Sequence, residues 1–261
     1  MALLDEQVCV VVGVGPGMGR DAALRLAAEG AHVVLAARSP DRLESVAAEV
    51  RDQGRRALCV PTDATDDASV AALVAATVAE FGRLDVLVNN AFRQPPFETL
   101  EQVSVETWND SLAINCTAAL RTSKAVLPVM RAQGKGSIIN IATMSIRNNR
   151  PLFGAYAAAK SALTSLTRTL ANEVGPDGIR VNAVCPGFIL GDSVRAHLAS
   201  TAEQNGITYD EQYARTTEQI PLRFIPDSAQ ICGTVVFYAS DLSIACTGTS
   251  LDVNGGQWMT W

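Results

Sequence analysis

Short runs of valine, isoleucine, leucine and alanine alternate along this chain with longer stretches whose apolar residues recur every three to four positions. A strand turns successive side chains to opposite faces, whereas a helix returns to the same face every 3.6 residues. The pattern therefore predicts strands at 8–12, 32–37, 57–60, 86–88, 137–141, 180–184 and 249–253. Between them it predicts helices at 18–29, 41–53, 68–81, about 108–131, 156–174 and 228–239. The strands are apolar nearly throughout, so both of their faces are covered, and that requires a parallel sheet with helices on each side. Right-handed crossovers then give an α/β fold: a Rossmann-like, doubly wound, seven-stranded parallel sheet in a single domain over residues 1–261. No linker or repeat interrupts it. Residues 188–219 break the rhythm, with no strand pattern and a mixture of glycine, serine, threonine and charge. They read either as a substrate-binding lid or as a pair of surface helices without a role.

Charge narrows the classes of partner. The formal net charge is −6 and no run of lysine or arginine offers a stripe for phosphates, which excludes nucleic acid as a main partner. Six scattered cysteines without a CxxC read as reduced core residues, and only His32 and His197 are present, which argues against a His-based metal site. No apolar run reaches membrane-spanning length and no leader pattern opens the chain, so the expectation is a cytoplasmic protein without a membrane partner.

The first predicted strand runs into Gly13-Val-Gly15-Pro16-Gly17-Met18-Gly19 and then a helix. Glycines allow a strained turn and let backbone N–H groups approach an anion at the helix N-terminus. The spacing is GxxxGxG, through Gly13, Gly17 and Gly19, with Met18 between the last two. The second strand ends in Ala37-Arg38-Ser39, where an NAD site wants a carboxylate for the ribose hydroxyls. Arg38 instead suits a 2′-phosphate, which favours NADP(H) over NAD(H). Arg20 either assists it or is a solvated helix residue. Asp63, after the third strand, either accepts from an adenine amine or caps a helix. Tyr156-Ala-Ala-Ala-Lys160 sets a phenol and an ammonium one helical turn apart, and a neighbouring ammonium favours the phenolate.

Together these motifs resemble the short-chain dehydrogenase/reductase family, over essentially the whole chain. The resemblance also rests on Asn89-Asn90-Ala91, on Asn115, on Asn140-Ile141-Ala142-Thr143, on Pro186-Gly187, and on Thr247-Gly248 with Asn254-Gly255-Gly256. It implies hydride transfer between a nicotinamide and a carbonyl or secondary alcohol. Tyr156 is then the general acid or base, Lys160 lowers its pKa and bonds the nicotinamide ribose, and Asn115 holds a water of a proton relay. Thr143 stands where the family keeps a serine, with Ser145 as the alternative hydroxyl. The resemblance adds Asn90, Ala91, Pro186, Gly187 and Ile189 to the cofactor contacts.

Three departures matter. Val12 replaces a threonine that commonly braces the glycine turn, Gly191 replaces a threonine and leaves Ser193 as a substitute contact, and Phe92 replaces a glycine. Phe92 either walls the substrate pocket or covers the sheet edge. With Met144, Ser145, Phe153 and Phe188 it makes a largely apolar set suited to a hydrophobic ketone or aldehyde. Arg147-Asn148-Asn149-Arg150 either meets an acidic substrate or is a solvated loop. The resemblance also implies a homo-oligomer, a tetramer or dimer, with Trp258 and Trp261 at an interface or packed within their own subunit. A different class of function, a non-catalytic NADP-binding sensor or structural subunit, draws on the three departures and is opposed by the intact Tyr156, Lys160 and Asn115.

Overall fold

The computed structural model describes residues 2–148 and 150–259. Its strands are β1 (Val8–Val12), β2 (His32–Ala37), β3 (Ala57–Pro61), β4 (Val86–Asn89), β5 (Gly136–Ile141), β6 (Ile179–Pro186) and β7 (Ser250–Val253). They form one sheet in the order β3-β2-β1-β4-β5-β6-β7, every neighbouring pair parallel. The order reverses between β1 and β4, and such a switch point leaves a crevice at the carboxyl ends of the strands.

The helices are α1 (Met18–Ala28), α2 (Pro40–Asp52), α3 (Asp67–Phe81), α4 (Val105–Leu112), α5 (Ala118–Gln133), α6 (Ser145–Asn148), α7 (Gly154–Val174), α8 (Asp192–Gln204), α9 (Tyr209–Glu218) and α10 (Ser228–Ala239). β1 shows why the strands read as continuous apolar runs. Cys9 and Val11 point into a core shared with Leu26 of α1 and Val235 of α10. Val8, Val10 and Val12 point the other way, into a core shared with Leu73 of α3, Val126 of α5 and Leu170 of α7. Among the described residues no helix is long and apolar enough to cross a membrane.

Two segments differ from the sequence expectation. The helix expected at 108–131 begins at Val105, where the Ser104 hydroxyl accepts from the Thr107 N–H at 3.0 Å, and it is broken by a π-helical turn over Ala113–Thr117. A π turn inserts a single residue, a departure too small for apolar periodicity over a window of this length to resolve. Residues 188–219 hold α8 and α9, and α9 starts with a capping box between Thr208 and Glu211. Leu198, Ile220 and Ile225 give the two helices a small core of their own, on which Phe188 and Tyr213 pack.

Below the crevice lies a buried polar rung. Asn89 and Asn140 are register partners on β4 and β5, and the Asn89 amide donates to Asn140 Oδ1 at 2.9 Å. Thr122 of α5 donates to Asn89 Oδ1 at 2.6 Å, and the Asn140 amide donates to Thr167 of α7 at 2.9 Å. Buried amides are costly unless paired, so this rung holds two helices at defined heights on the sheet. Asn140→Ala is expected to lower the unfolding free energy by about 2 kcal/mol in a urea titration. A loss no larger than that of the exposed Asn172→Ala would show that the rung contributes nothing.

Candidate active site

The glycine turn after β1 is held by close approach on two sides. Gly13 has φ +94°, and a Cβ there would lie 2.4 Å from the Ala91 nitrogen. A Cβ on Gly19 would lie 2.4 Å from the Gly13 carbonyl oxygen. Gly17 differs: it has φ +83°, it precedes α1 without any side-chain cap, and the space its Cβ would fill is open. The turn thus offers uncapped helix N–H groups, Met18 among the first, beside room for an anion. This cradle fits the pyrophosphate of a dinucleotide. The hydroxyl lost at Val12 has a substitute, since the Asn90 side chain donates to the Gly13 carbonyl at 2.8 Å.

Around the crevice's far side, Arg38 is exposed directly after β2, with Ser39 next to it as the residue preceding α2. Arg20 does not join them. Its guanidinium pairs with Glu49 of α2 and, at 3.0 Å, with Asp21, so it braces α1 against α2. Asp63 does not cap α3 either; Asp66 does, accepting from the Ser69 N–H. Asp63 accepts from the Thr65 N–H at 2.8 Å and from its hydroxyl, and these bonds, with Arg38 nearby, hold its carboxyl below the usual range.

The carboxyl end of β5 gathers the other candidates. Lys160 of α7 is 2 % exposed and donates to the Ile141 carbonyl at 2.7 Å, fastening the helix to the strand end. Burial pulls its ammonium down to about 8. Burial also pushes the Tyr156 phenol up to about 12, with the neighbouring Thr143 side chain acting in the opposite direction. Desolvation is the larger influence on the phenol in this structure, and the Lys160 ammonium donates to a backbone carbonyl. Of the two candidate hydroxyls, Thr143 is the one beside Tyr156. Ser145 opens α6 and donates its N–H to Thr143 Oγ1 at 3.2 Å.

Asn115 sits in the π turn, 1 % exposed. Its amide donates to the Arg93 carbonyl at 2.9 Å and its oxygen accepts from the Arg93 N–H at 3.2 Å, so it clamps the loop leaving β4. Ser111, one turn earlier, donates to the Ala155 carbonyl at 3.1 Å and accepts weakly from Asn115 at 3.4 Å. Sequence reasoning missed Ser111; its spacing of four from Asn115 was the available signal.

The substrate candidates divide. Phe153, Phe188 and Ser145 are half-buried around the crevice mouth, and Leu152, at φ +69°, turns the chain into Phe153. Met144 is 5 % exposed, and its backbone donates to the Pro186 carbonyl at 2.7 Å. Phe92 is 61 % exposed, in the loop leaving β4. Gly187 lies against Asn254, whose Cβ would be 2.6 Å from an added Cβ, which brings the C-terminal segment beside Ile189 and the end of β6. Ser193 is exposed on α8. Asn149 and Trp261 lie outside the described residues.

Comparison with known proteins agrees with this geometry. A family model described as Enoyl-(Acyl carrier protein) reductase matches residues 13–257. A short-chain dehydrogenase/reductase of Aspergillus oryzae is 37% identical over 255 residues, 97% of this chain and 95% of its own length. The structure of L-sorbose reductase from Gluconobacter frateurii, complexed with NADPH and L-sorbose, superposes with a TM-score of 0.92 at 31% identity and covers 100% of both chains. NAD+-bound xylitol dehydrogenase superposes with a TM-score of 0.89 at 32% identity, over 97% of this chain and 99% of its own.

The Lys160 shift has a consequence for stability. The unfolded lysine titrates near 10.5 and the folded one near 8, so between these values the unfolded chain binds more protons and stability rises with pH. Wild type should gain on Lys160→Met by about 3 kcal/mol from pH 8 to pH 10.5, the buried thiols common to both cancelling. Parallel curves of unfolding free energy against pH would overturn this.

Proposed function

The chain belongs to the short-chain dehydrogenase/reductase family and is an NAD(P)-dependent oxidoreductase of alcohol and ketone substrates, and from that premise we propose that it uses NADP(H) to reduce a hydrophobic ketone or aldehyde. The observation that carries this reading is the Lys160–Ile141 bond, which sets Tyr156 and Thr143 side by side where the sheet opens. When bound, the nicotinamide supplies or accepts the hydride.

The protein's own residues handle the proton and the orientation. A phenol held near 12 is protonated at neutral pH, which suits Tyr156 as the acid that protonates the carbonyl oxygen. The Thr143 hydroxyl donates a second hydrogen bond to that oxygen, and its methyl group limits its rotamers. Lys160, near 8 and so mostly charged at neutral pH, would bond the ribose of a bound nicotinamide nucleotide and would favour the phenolate left after transfer. Asn115 fixes the loop from β4, and with it the approach of Asn90 and Ala91 to the glycine turn. The four-residue Tyr156–Lys160 spacing favours C=O over C=C reduction.

NADP(H) preference rests on Arg38, an exposed guanidinium without an ion-pair partner among the described residues, beside the glycine cradle. The similar structures carry NADPH in one case and NAD+ in the other, so the residue itself is the guide. All six cysteines are free, which suits the reducing cytoplasm. β7 is an edge strand, and the 40 % exposed Trp258 beyond it supports a homo-oligomer, a tetramer or dimer.

Tyr156→Phe is expected to lower kcat by about a thousandfold in carbonyl reduction while NADPH still binds, as read by nicotinamide fluorescence. Unaltered turnover in the variant would remove Tyr156 as the acid, and no turnover by wild type with any ketone would leave the protein a nucleotide-binding subunit. Arg38→Ala should raise Kd for NADPH about tenfold or more and move that for NADH little. Equal losses for the two cofactors would remove Arg38 from the 2′-phosphate site.

A further inference from the structure

The loop between β5 and α7 carries two arginines, and the fold uses them differently. Arg147 is committed inside the protein, its Nε 3.5 Å from Asp252 of β7, with both side chains largely buried. That pair ties α6 to the far strand and neutralises the charge of Arg147. Arg150 is exposed, and among the described residues no carboxylate pairs with it. Its guanidinium carbon lies 5.3 Å from the ring centroid of Phe153 and 5.7 Å from that of Phe188.

Those rings come from two separate segments, one entering α7 and one leaving β6. Phe153 precedes the first turn of α7, one turn before Tyr156, and its ring packs against Phe97 at 5.0 Å. Phe188 follows the end of β6 and packs on the core of α8 and α9. A guanidinium resting on aromatic faces is held in place by cation–π attraction while its N–H groups, directed outward in its own plane, remain for oxygen acceptors. That fork matches a carboxylate, which it binds through two parallel hydrogen bonds. Phe153 lies three residues before Tyr156 and Arg150 six before it, so the guanidinium and the phenol are carried by one segment at different positions. A cation at that position meets a part of the substrate other than its reacting carbon. In a protein of net charge −6, an unneutralised cation placed there selects for an anion.

We propose that Arg150 is a specificity-determining residue, which selects carbonyl substrates bearing a carboxylate at the end remote from the reacting carbon. The inference rests on the carbonyl-reducing reading above. The apolar surface of Phe153 and Phe188 then receives the spacer between the two groups, and Arg150 receives the charge.

The test is a series of methyl-ketone acids, from levulinate to its four-carbon-longer homologue, each paired with its primary amide and assayed with NADPH. Wild type is expected to prefer the acid in kcat/KM by about tenfold or more at the best spacer length, through KM. Arg150→Gln should bring that acid-to-amide ratio to about one, and Arg150→Lys, which keeps the charge and loses the fork, should fall between. Binding to the NADPH-loaded protein, read by calorimetry, separates the two readings. Tighter binding of acids than amides, abolished by Arg150→Gln, supports the role of Arg150 even if no ketone turns over, an outcome that would sink only the reductase reading. Equal binding of acids and amides across the series, or a preference for acids that survives Arg150→Gln, overturns the role of Arg150 and leaves it a latch between two aromatic side chains.

Discussion

One buried ammonium organises the working end of this protein. Lys160 has almost no contact with solvent, and its bond to the Ile141 carbonyl closes the gap between α7 and the end of β5. A charge in that position is tolerable only with a hydrogen-bond partner, and its low pKa measures how much desolvation remains uncompensated. The same anchor decides where Tyr156 stands, one turn earlier on the helix, and so which hydroxyl it meets. Thr143, two residues beyond the anchoring carbonyl, is that hydroxyl. The phenol, its neighbouring hydroxyl and the lysine are thus set by one strand end and one helix.

The polar rung beneath does the same work one layer down. Asn89, Asn140, Thr122 and Thr167 connect β4 and β5 to α5 and α7 in a region otherwise closed by aliphatic side chains. Buried polar networks of this kind restrict sliding, because every alternative register leaves a donor or acceptor unpaired. The glycine turn is defined by a complementary device: Gly13 and Gly19 are sites where backbone touches backbone, whereas Gly17 keeps a space clear. Contact and clearance alternate along seven residues, and the cofactor cradle is the result.

The crevice mouth is assembled from loops with less redundancy. Asn115 clamps the loop after β4, the Arg147–Asp252 pair holds α6, and a separate small core carries α8 and α9. Arg150 touches one ring at the entry to α7 and one on the core of α8 and α9. Differences in what the enzyme accepts are expected to arise there, on segments that can vary without disturbing the sheet.

The apolar strands, the helix periodicity, the glycine spacing and the Tyr156–Lys160 interval were legible in the chain because each depends on neighbours within a few residues. They determined the doubly wound sheet, the glycine turn after β1 and the Tyr156–Lys160 pair on α7. The π turn at Asn115 was not legible, since a single inserted residue is too small a departure for apolar periodicity to resolve. Nor was the assignment of Arg20 to Glu49, of Arg147 to Asp252, or of Arg150 to two aromatic rings, because each joins residues from separate elements. Tertiary structure alone also set the sense of the Tyr156 shift. Sequence spacing brings an ammonium near a phenol, but the desolvation that raises the phenol comes from everything packed around it, and that is a property of the fold.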